Sequence, residues 1–143
     1  RLHFAKKLEW NEYLARFRCA DLFLDTFYYN GGSTVVASLW SGCPVLTLPG
    51  KYNSSRMGAS IVDSAGLPEM ICNDKKDYED RAVYLSENPD ELKAIREKLK
   101  VDCKDIPLFN PKQFIGYMEQ AFIKMWEIFQ NGARPENIYV KSD

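Results

Sequence analysis

The stretch Asp25-Thr26-Phe27-Tyr28-Tyr29-Asn30-Gly31-Gly32-Ser33-Thr34 joins two apolar runs of different kinds. Residues 20–24 before it are few and rich in strand formers. Residues 35–40 after it read as a buried helix that Gly42 stops. A strand that hands over to a helix through two glycines and two hydroxyl residues restricts the fold sharply. Glycine lets the backbone turn tightly and lets a ligand approach it. The free N–H groups of a helix start, helped by the macrodipole, favour an anion such as phosphate. Ser33 and Thr34 can each add a hydroxyl donor. The same four residues also make ordinary turns and helix caps, so the motif alone leaves both readings open.

The neighbouring sequence repeats the alternation. Residues 2–5 read as a short strand containing His3. Residues 9–19 read as a helix with Trp10, Tyr13, Leu14 and Phe17 on one face. Strands are expected at 22–25, 44–48 and 69–72, and helices at 34–41 and 54–65. Two helices end alike, in Gly42-Cys43-Pro44 and Gly66-Leu67-Pro68, a left-handed cap followed by a residue that forbids continuation. Short strands alternating with helices through short loops imply right-handed βαβ units and a parallel sheet. The second half is helical, at 75–86, 89–100 and 111–130. Asn88-Pro89 and Asn110-Pro111 each place Asn at the N-cap and Pro at the first helical position. The last helix carries a wide apolar stripe, Phe114, Met118, Ala121, Phe122, Met125, Trp126 and Phe129, of the kind that packs on a core or a domain interface. The expected architecture is α/β: a Rossmann-like parallel sheet with flanking helices over residues 1–132, ending in a long helix, then a loose tail at 133–143.

Composition narrows the function classes. The chain has 143 residues, 45% hydrophobic and 27% charged, an ordinary globular balance for one domain. Its net charge of −1, from 19 basic and 20 acidic residues, argues against a nucleic-acid or anionic-membrane footprint. The longest apolar runs are far too short to span a bilayer. Cys19, Cys43, Cys72 and Cys103 form no close pairs, and His3 is the single histidine. No metal site or cofactor is expected, and Cys19, Cys43 and Cys72 read as buried free thiols of a reducing, cytoplasmic environment. The chain opens on Arg1-Leu2 without a Met, which suggests a piece of a longer protein.

In an open parallel sheet, ligands bind beyond the carboxyl ends of the strands. The glycine loop lies at one such end, and residues 6–12 lie at another. A nucleotide would then set its diphosphate on Gly31, Gly32, Ser33 and Thr34, with its base against residues 6–16. The G-x-G-x-x-G fingerprint and the Walker A loop are both missing.

Several segments together resemble a known family: Leu24-Asp25-Thr26, Asn30-Gly31-Gly32-Ser33-Thr34, Leu39-Trp40-Ser41-Gly42-Cys43-Pro44-Val45, Ser55-Arg56-Met57-Gly58-Ala59-Ser60, Gly66-Leu67-Pro68-Glu69 and Met125-Trp126. They are similar, in order and spacing, to the C-terminal, donor-binding catalytic domain of the O-linked N-acetylglucosamine transferase and SPINDLY family. The resemblance implies half of a glycosyltransferase-B fold and a nucleotide sugar, UDP-linked or GDP-linked. It also implies a protein acceptor, an N-terminal catalytic half and, in long members, tetratricopeptide repeats. By the same resemblance, Ser33 and Thr34 match hydroxyl residues that hold the diphosphate. Arg16 matches an arginine that packs on the base, and the Leu8 backbone matches the chain that bonds the base edge. The family's ribose-binding lysine falls at Trp10, its ribose-binding acid at Ala37, and Tyr13 stands where a histidine is usual. Trp10 and Tyr13 either stack on the base or ribose or belong to the apolar face of their helix. Arg56 either faces the cleft or is a solvated helix-start arginine, and Asp25 can cap the loop. The chain offers no convincing catalytic base, so the domain's share in transfer would be electrostatic. A degenerate module serving as a structural or interaction domain is the alternative, and the substitutions at Trp10 and Ala37 favour it.

Overall fold

The computed structural model describes residues 2–100 and 106–140. Helix α1 (Trp10–Phe17) precedes strand β1 (Phe23–Leu24), helix α2 (Ser33–Trp40) and strand β2 (Val45–Leu46). A 3-10 turn at Asn53–Ser55 leads into α3 (Met57–Ser64), and a second at Pro68–Met70 follows it. Then come α4 (Lys75–Glu87), α5 (Pro89–Lys100), a third 3-10 turn at Pro107–Phe109, and α6 (Pro111–Gln130).

The sheet is parallel, as the alternation predicts. Phe23 pairs with Val45 and Leu24 with Leu46. A single parallel bridge from Thr47 to Ile71 extends it by a third position. Gly42 and Gly66 take positive φ, 80° and 76°, at the ends of α2 and α3, the left-handed conformation that glycine tolerates best. Val35, Leu39, Val45, Leu46, Val62, Leu67, Met70 and Leu85 are wholly buried, with Leu92, Ile95 and Leu99 of α5 closing the core. Arg96 of α5 donates through Nη1 to the Ala20 carbonyl at 3.0 Å, tying the helical second half to the approach to β1.

Several expectations are corrected. Residues 2–5 form no strand: Leu2 is 87% and Phe4 94% exposed, and among the described residues no sheet edge pairs with them. The strand expected at 69–72 shrinks to Ile71, because Pro68 opens a 3-10 turn that uses up the preceding residues. The helix expected at 54–65 breaks at Arg56, where the 3-10 turn ends and α3 begins. Cys19 is exposed, because α1 buries no residue and Cys19 lies in the turn beyond it, whereas Cys43 and Cys72 are buried free thiols. Cys103 lies outside the described residues. Of the two places open to the stripe of α6, a core is excluded, since no residue of that helix is buried, and the exposed stripe keeps the character of an interface. Among the described residues no helix is long and apolar enough to cross a membrane, and no cluster of three metal-ligating side chains occurs.

Candidate functional site

The glycine loop is held from below by one buried carboxylate. Asp25, at the end of β1, accepts the Thr26 N–H (2.9 Å) and the Gly31 N–H (2.8 Å) on Oδ1. Its Oδ2 accepts the Thr47 hydroxyl at 2.8 Å from the neighbouring strand position. The Tyr78 hydroxyl of α4 donates to the Asp25 carbonyl at 2.9 Å. Burial pushes the Tyr78 phenol up to about 12, with the Asp25 carboxylate adding to the shift, so it stays a protonated donor. Asn30 completes the frame. Its Nδ2 donates to the Thr26 carbonyl (2.7 Å), and its Oδ1 accepts the Gly58 N–H at the start of α3 (3.1 Å). Gly58 leaves no room for a side chain, since a Cβ would collide with Asp25 Oδ2 and lie 2.7 Å from Thr47 Oγ1. The capping role open to Asp25 is the one it has. The motif that drew attention to the loop gave no hint of Thr47 or Tyr78, which are distant in sequence.

Above this frame the loop opens into α2. The Val36 N–H donates to the Gly32 carbonyl at 3.1 Å. Among the described residues, the N–H groups of Ser33, Thr34 and Val35 meet no main-chain acceptor, and no side chain caps α2. Ser33 is exposed and Thr34 half-buried, so these N–H groups and two hydroxyls lie at an accessible helix start.

A groove of about 490 Å³ runs from that start along α2. Trp10 and Leu14 of α1 form one wall, Val36 and Ala37 the floor, and Trp40 with Phe109 the far wall. Ser33 stands at its end, so the groove brings two of the expected site residues, Trp10 and Ser33, together. The other expected residues lie around it. Tyr13 stacks behind Trp10 with ring centroids 5.7 Å apart, and Phe17 in turn meets Tyr13 edge-on at 5.1 Å. Arg16 is engaged by its own chain, donating through Nη2 to the Lys6 carbonyl at 2.7 Å. Leu8 is exposed in the extended segment that Arg16 tethers, outside the groove lining. Gly31 and Gly32 are half-buried against Val35 and Met57. Arg56 is exposed at the start of α3, with no ion pair among the described residues. Trp40 and Phe109 escaped sequence reasoning, because α2 reads as uniformly buried and Phe109 belongs to a remote turn.

Known proteins share much of this sequence and fold. A family model described as glycosyl transferase family 41 matches residues 1–118. A probable UDP-N-acetylglucosamine–peptide N-acetylglucosaminyltransferase, SEC, of Arabidopsis thaliana is 33% identical over 91% of this chain and 13% of its own length. The UDP-N-acetylglucosamine–peptide N-acetylglucosaminyltransferase of Caenorhabditis elegans is 30% identical over 96% of this chain and 12% of its own length. Among solved structures, a K341M mutant of the Thermobaculum terrenum O-GlcNAc transferase superposes with a TM-score of 0.80 at 30% identity, over 88% of this chain and 24% of that one. The chain thus spans roughly an eighth of the length of the two relatives. It belongs to glycosyl transferase family 41.

Proposed function

We propose that this chain is the nucleotide-sugar-binding part of an inverting protein O-glycosyltransferase that moves a sugar from a UDP-sugar to Ser or Thr hydroxyls. The observation that carries the reading is the groove between α1 and α2, which ends at Ser33, where among the described residues the N–H groups and hydroxyls of Ser33 and the neighbouring Thr34 have no partner. A diphosphate at that end would meet preorganised donors and the positive end of α2, and a nucleoside would run along the groove. The relatives' names, which specify UDP-N-acetylglucosamine and a peptide, supply the substrate class.

In transfer, the acceptor oxygen attacks the anomeric carbon, the bond to the β-phosphate breaks, and the diphosphate leaves with the electron pair. Donors aimed at the departing oxygens stabilise that charge without reorganising. Proton removal from the acceptor falls to groups of an N-terminal catalytic half, with tetratricopeptide repeats preceding it. Residues 1–132 act as the nucleotide-binding domain and 133–143 as its tail. The buried free thiols of Cys43 and Cys72 suit a reducing cytoplasm.

Calorimetric titration of the full-length protein with UDP, GDP, ADP and uridine tests the reading. UDP is expected to bind better than uridine. Replacing Ser33 and Thr34 together by Ala should cost about 1–3 kcal/mol of UDP binding, the scale of hydrogen bonds to a charged group. Uridine binding as tightly as UDP, or a double variant that binds UDP unchanged, overturns it.

A further inference from the structure

We propose that a pocket at the carboxyl edge of the sheet, lined by Phe27, Tyr28, Lys51, Tyr52 and Lys75, binds an acidic stretch of the acceptor polypeptide. The inference rests on the transferase reading above and deepens it by naming the acceptor chemistry that this surface favours.

The pocket measures about 290 Å³ and lies between the loops that leave β1 and β2 and the first residue of α4. Its frame is fixed by main-chain and hydroxyl bonds. The Asn30 N–H donates to the Ser54 carbonyl at 2.9 Å, joining the β1 loop to the turn after β2. Within that turn the Gly50 N–H donates to the Ser55 carbonyl at 2.7 Å. The buried Ser55 hydroxyl accepts the Tyr52 N–H at 3.2 Å and donates to the Tyr52 carbonyl at 3.0 Å. Gly50 has no room for a side chain there, because a Cβ would collide with Ser55. Phe27, half-buried in the wall, meets the buried Tyr78 ring edge-on at 5.0 Å. The walls are formed before anything binds, which lowers the ordering cost of association.

This rigid frame displays aromatic and cationic groups. Tyr28 is 81% exposed and Tyr52 77%. Tyrosine is a residue that interfaces use for large contact area at small entropic cost. Lys75 Nζ lies 5.8 Å from the Phe27 ring centroid and 5.8 Å from that of Tyr28, so the two rings hold its ammonium at the pocket. Lys51, exposed in the turn after β2, is the second cation of the lining. The carboxylates nearest Lys75 in sequence are committed to the helix start. Asp74 accepts the Asp77 N–H at 2.9 Å, and Asp77 accepts the Asn73 N–H at 2.8 Å.

Two ammonium groups and two phenol hydroxyls beside the apolar surface of Phe27 and Leu48 suit a side chain with a methylene stem and a carboxylate end, as in glutamate. A nucleic acid is a poorer match, because two lysines on a chain of net charge −1 give no extended positive field. The occupant is the acceptor because one loop carries both Tyr28 and the glycines proposed to hold the diphosphate. Tyr28 and Gly31 are three positions apart, at most about 11 Å of chain. A polypeptide held in the pocket is thereby kept beside the donor.

The test uses the full-length protein and two fluorescent peptides of equal length with a central Ser, flanked by Glu in one and by Gln in the other. Anisotropy without donor is expected to show the Glu peptide bound about fivefold tighter, the scale of two exposed ion pairs, with the difference shrinking in high salt. In transfer the same preference should appear in KM and not in kcat. The double variant Lys51→Glu, Lys75→Glu should bind the two peptides alike, to within about twofold, while UDP affinity and melting temperature stay those of the parent. Glu at the first residue of α4 suits a helix start, so this variant should fold. Tyr52→Ala should weaken both peptides by a similar factor. Equal binding of the two peptides by the parent, or a Glu preference that survives the double variant, overturns this inference and leaves the UDP reading intact. Absence of UDP binding with the lysine-dependent Glu preference intact overturns the transferase reading alone, and the pocket remains a site for acidic peptide. An oligothymidylate bound more tightly than the Glu peptide through the same two lysines gives the pocket to nucleic acid and overturns the proposal.

Discussion

Asp25 and Gly31, six positions apart in the chain, are joined by a hydrogen bond of 2.8 Å from the glycine N–H to Oδ1. The same carboxylate takes the Thr47 hydroxyl, so strand end, loop and neighbouring strand position are fixed to one another by a single buried side chain. Removing it strands two N–H groups and a hydroxyl. Asp25→Ala is therefore expected to destabilise the fold by about 2–4 kcal/mol, the range for breaking a buried polar network. Asp25→Asn keeps the shape and part of the bonding and should cost less. Chemical denaturation measures both. An alanine variant within 0.5 kcal/mol of the parent, taken here as roughly the error of a neutral surface substitution, would show that the network is not stabilising.

Two glycines outside the loop give a matched pair of expectations. Gly58 is enclosed by Asp25, Thr47 and Asn30, and an added methyl has nowhere to go. Gly58→Ala should lower stability by about 1–3 kcal/mol, the cost of overpacking. Gly116, within α6, meets nothing within 4 Å. Gly116→Ala should raise stability by about 0.5–1 kcal/mol, the intrinsic helical advantage of alanine. A Gly58→Ala variant that melts at or above the parent would contradict the packing described around Gly58, and a Gly116→Ala variant that melts below it would contradict the open surroundings of Gly116.

The buried titratable groups set the alkaline limit. Burial raises the Cys72 thiol from 9.0 to about 11 and the Tyr78 phenol from 10.0 to about 12. Both groups are neutral when protonated, so the folded state holds its protons more tightly than the unfolded chain. Their contribution is complete below about pH 9 and is lost as the pH rises through 11 and 12. Stability should fall steadily above pH 9. Cys72→Ala should flatten the lower part of that fall and Tyr78→Phe the upper part. Tyr78→Phe should also cost about 1 kcal/mol at neutral pH, because the Asp25 carbonyl loses its donor. Alkylation at pH 8 should mark the exposed Cys19 well before Cys43 or Cys72.

How much of this was legible in the chain depends on the distance over which each feature is decided. The helix starts at Pro89 and Pro111 are encoded within four residues by Asn, Pro and the residues that follow, and the structure begins both helices there. The strand–glycine–helix junction is also local. Residues 2–5 look like a strand in sequence but form none, because four residues with strand character do not supply a sheet edge to pair with. The strand at 69–72 shortened because Pro68 set the backbone before the ladder did. From the residues alone, Ser33 and Trp10 belong to one site only if their strand ends are neighbours, and the family resemblance joins them as well; in the structure it is α1 packing on α2 that brings them together. Tyr78 and Thr47 were invisible for the same reason: their partner Asp25 is 53 and 22 residues away.

The open stripe of α6 sets the last expectation. Trp126 is 59% exposed and stacks on Phe129, with ring centroids 5.6 Å apart, and Phe114, Phe122 and Met125 are exposed on the same helix. The tail turns back along it, where Lys124 Nζ donates to the Tyr139 carbonyl at 2.9 Å, yet most of the apolar stripe stays uncovered. A stripe of this kind costs solubility unless another surface meets it. The isolated chain is therefore expected to self-associate at high concentration. Trp126→Glu should reduce that association strongly, because a charge at the centre of an apolar contact is left without solvent or partner. The melting temperature should hardly move, since Trp126 lies outside the buried core. Sedimentation velocity across a hundredfold concentration range checks the first expectation and thermal unfolding of the dilute protein the second. A strict monomer throughout the range, or a Trp126→Glu variant that melts far below the parent, would mean that the helix is satisfied within its own chain.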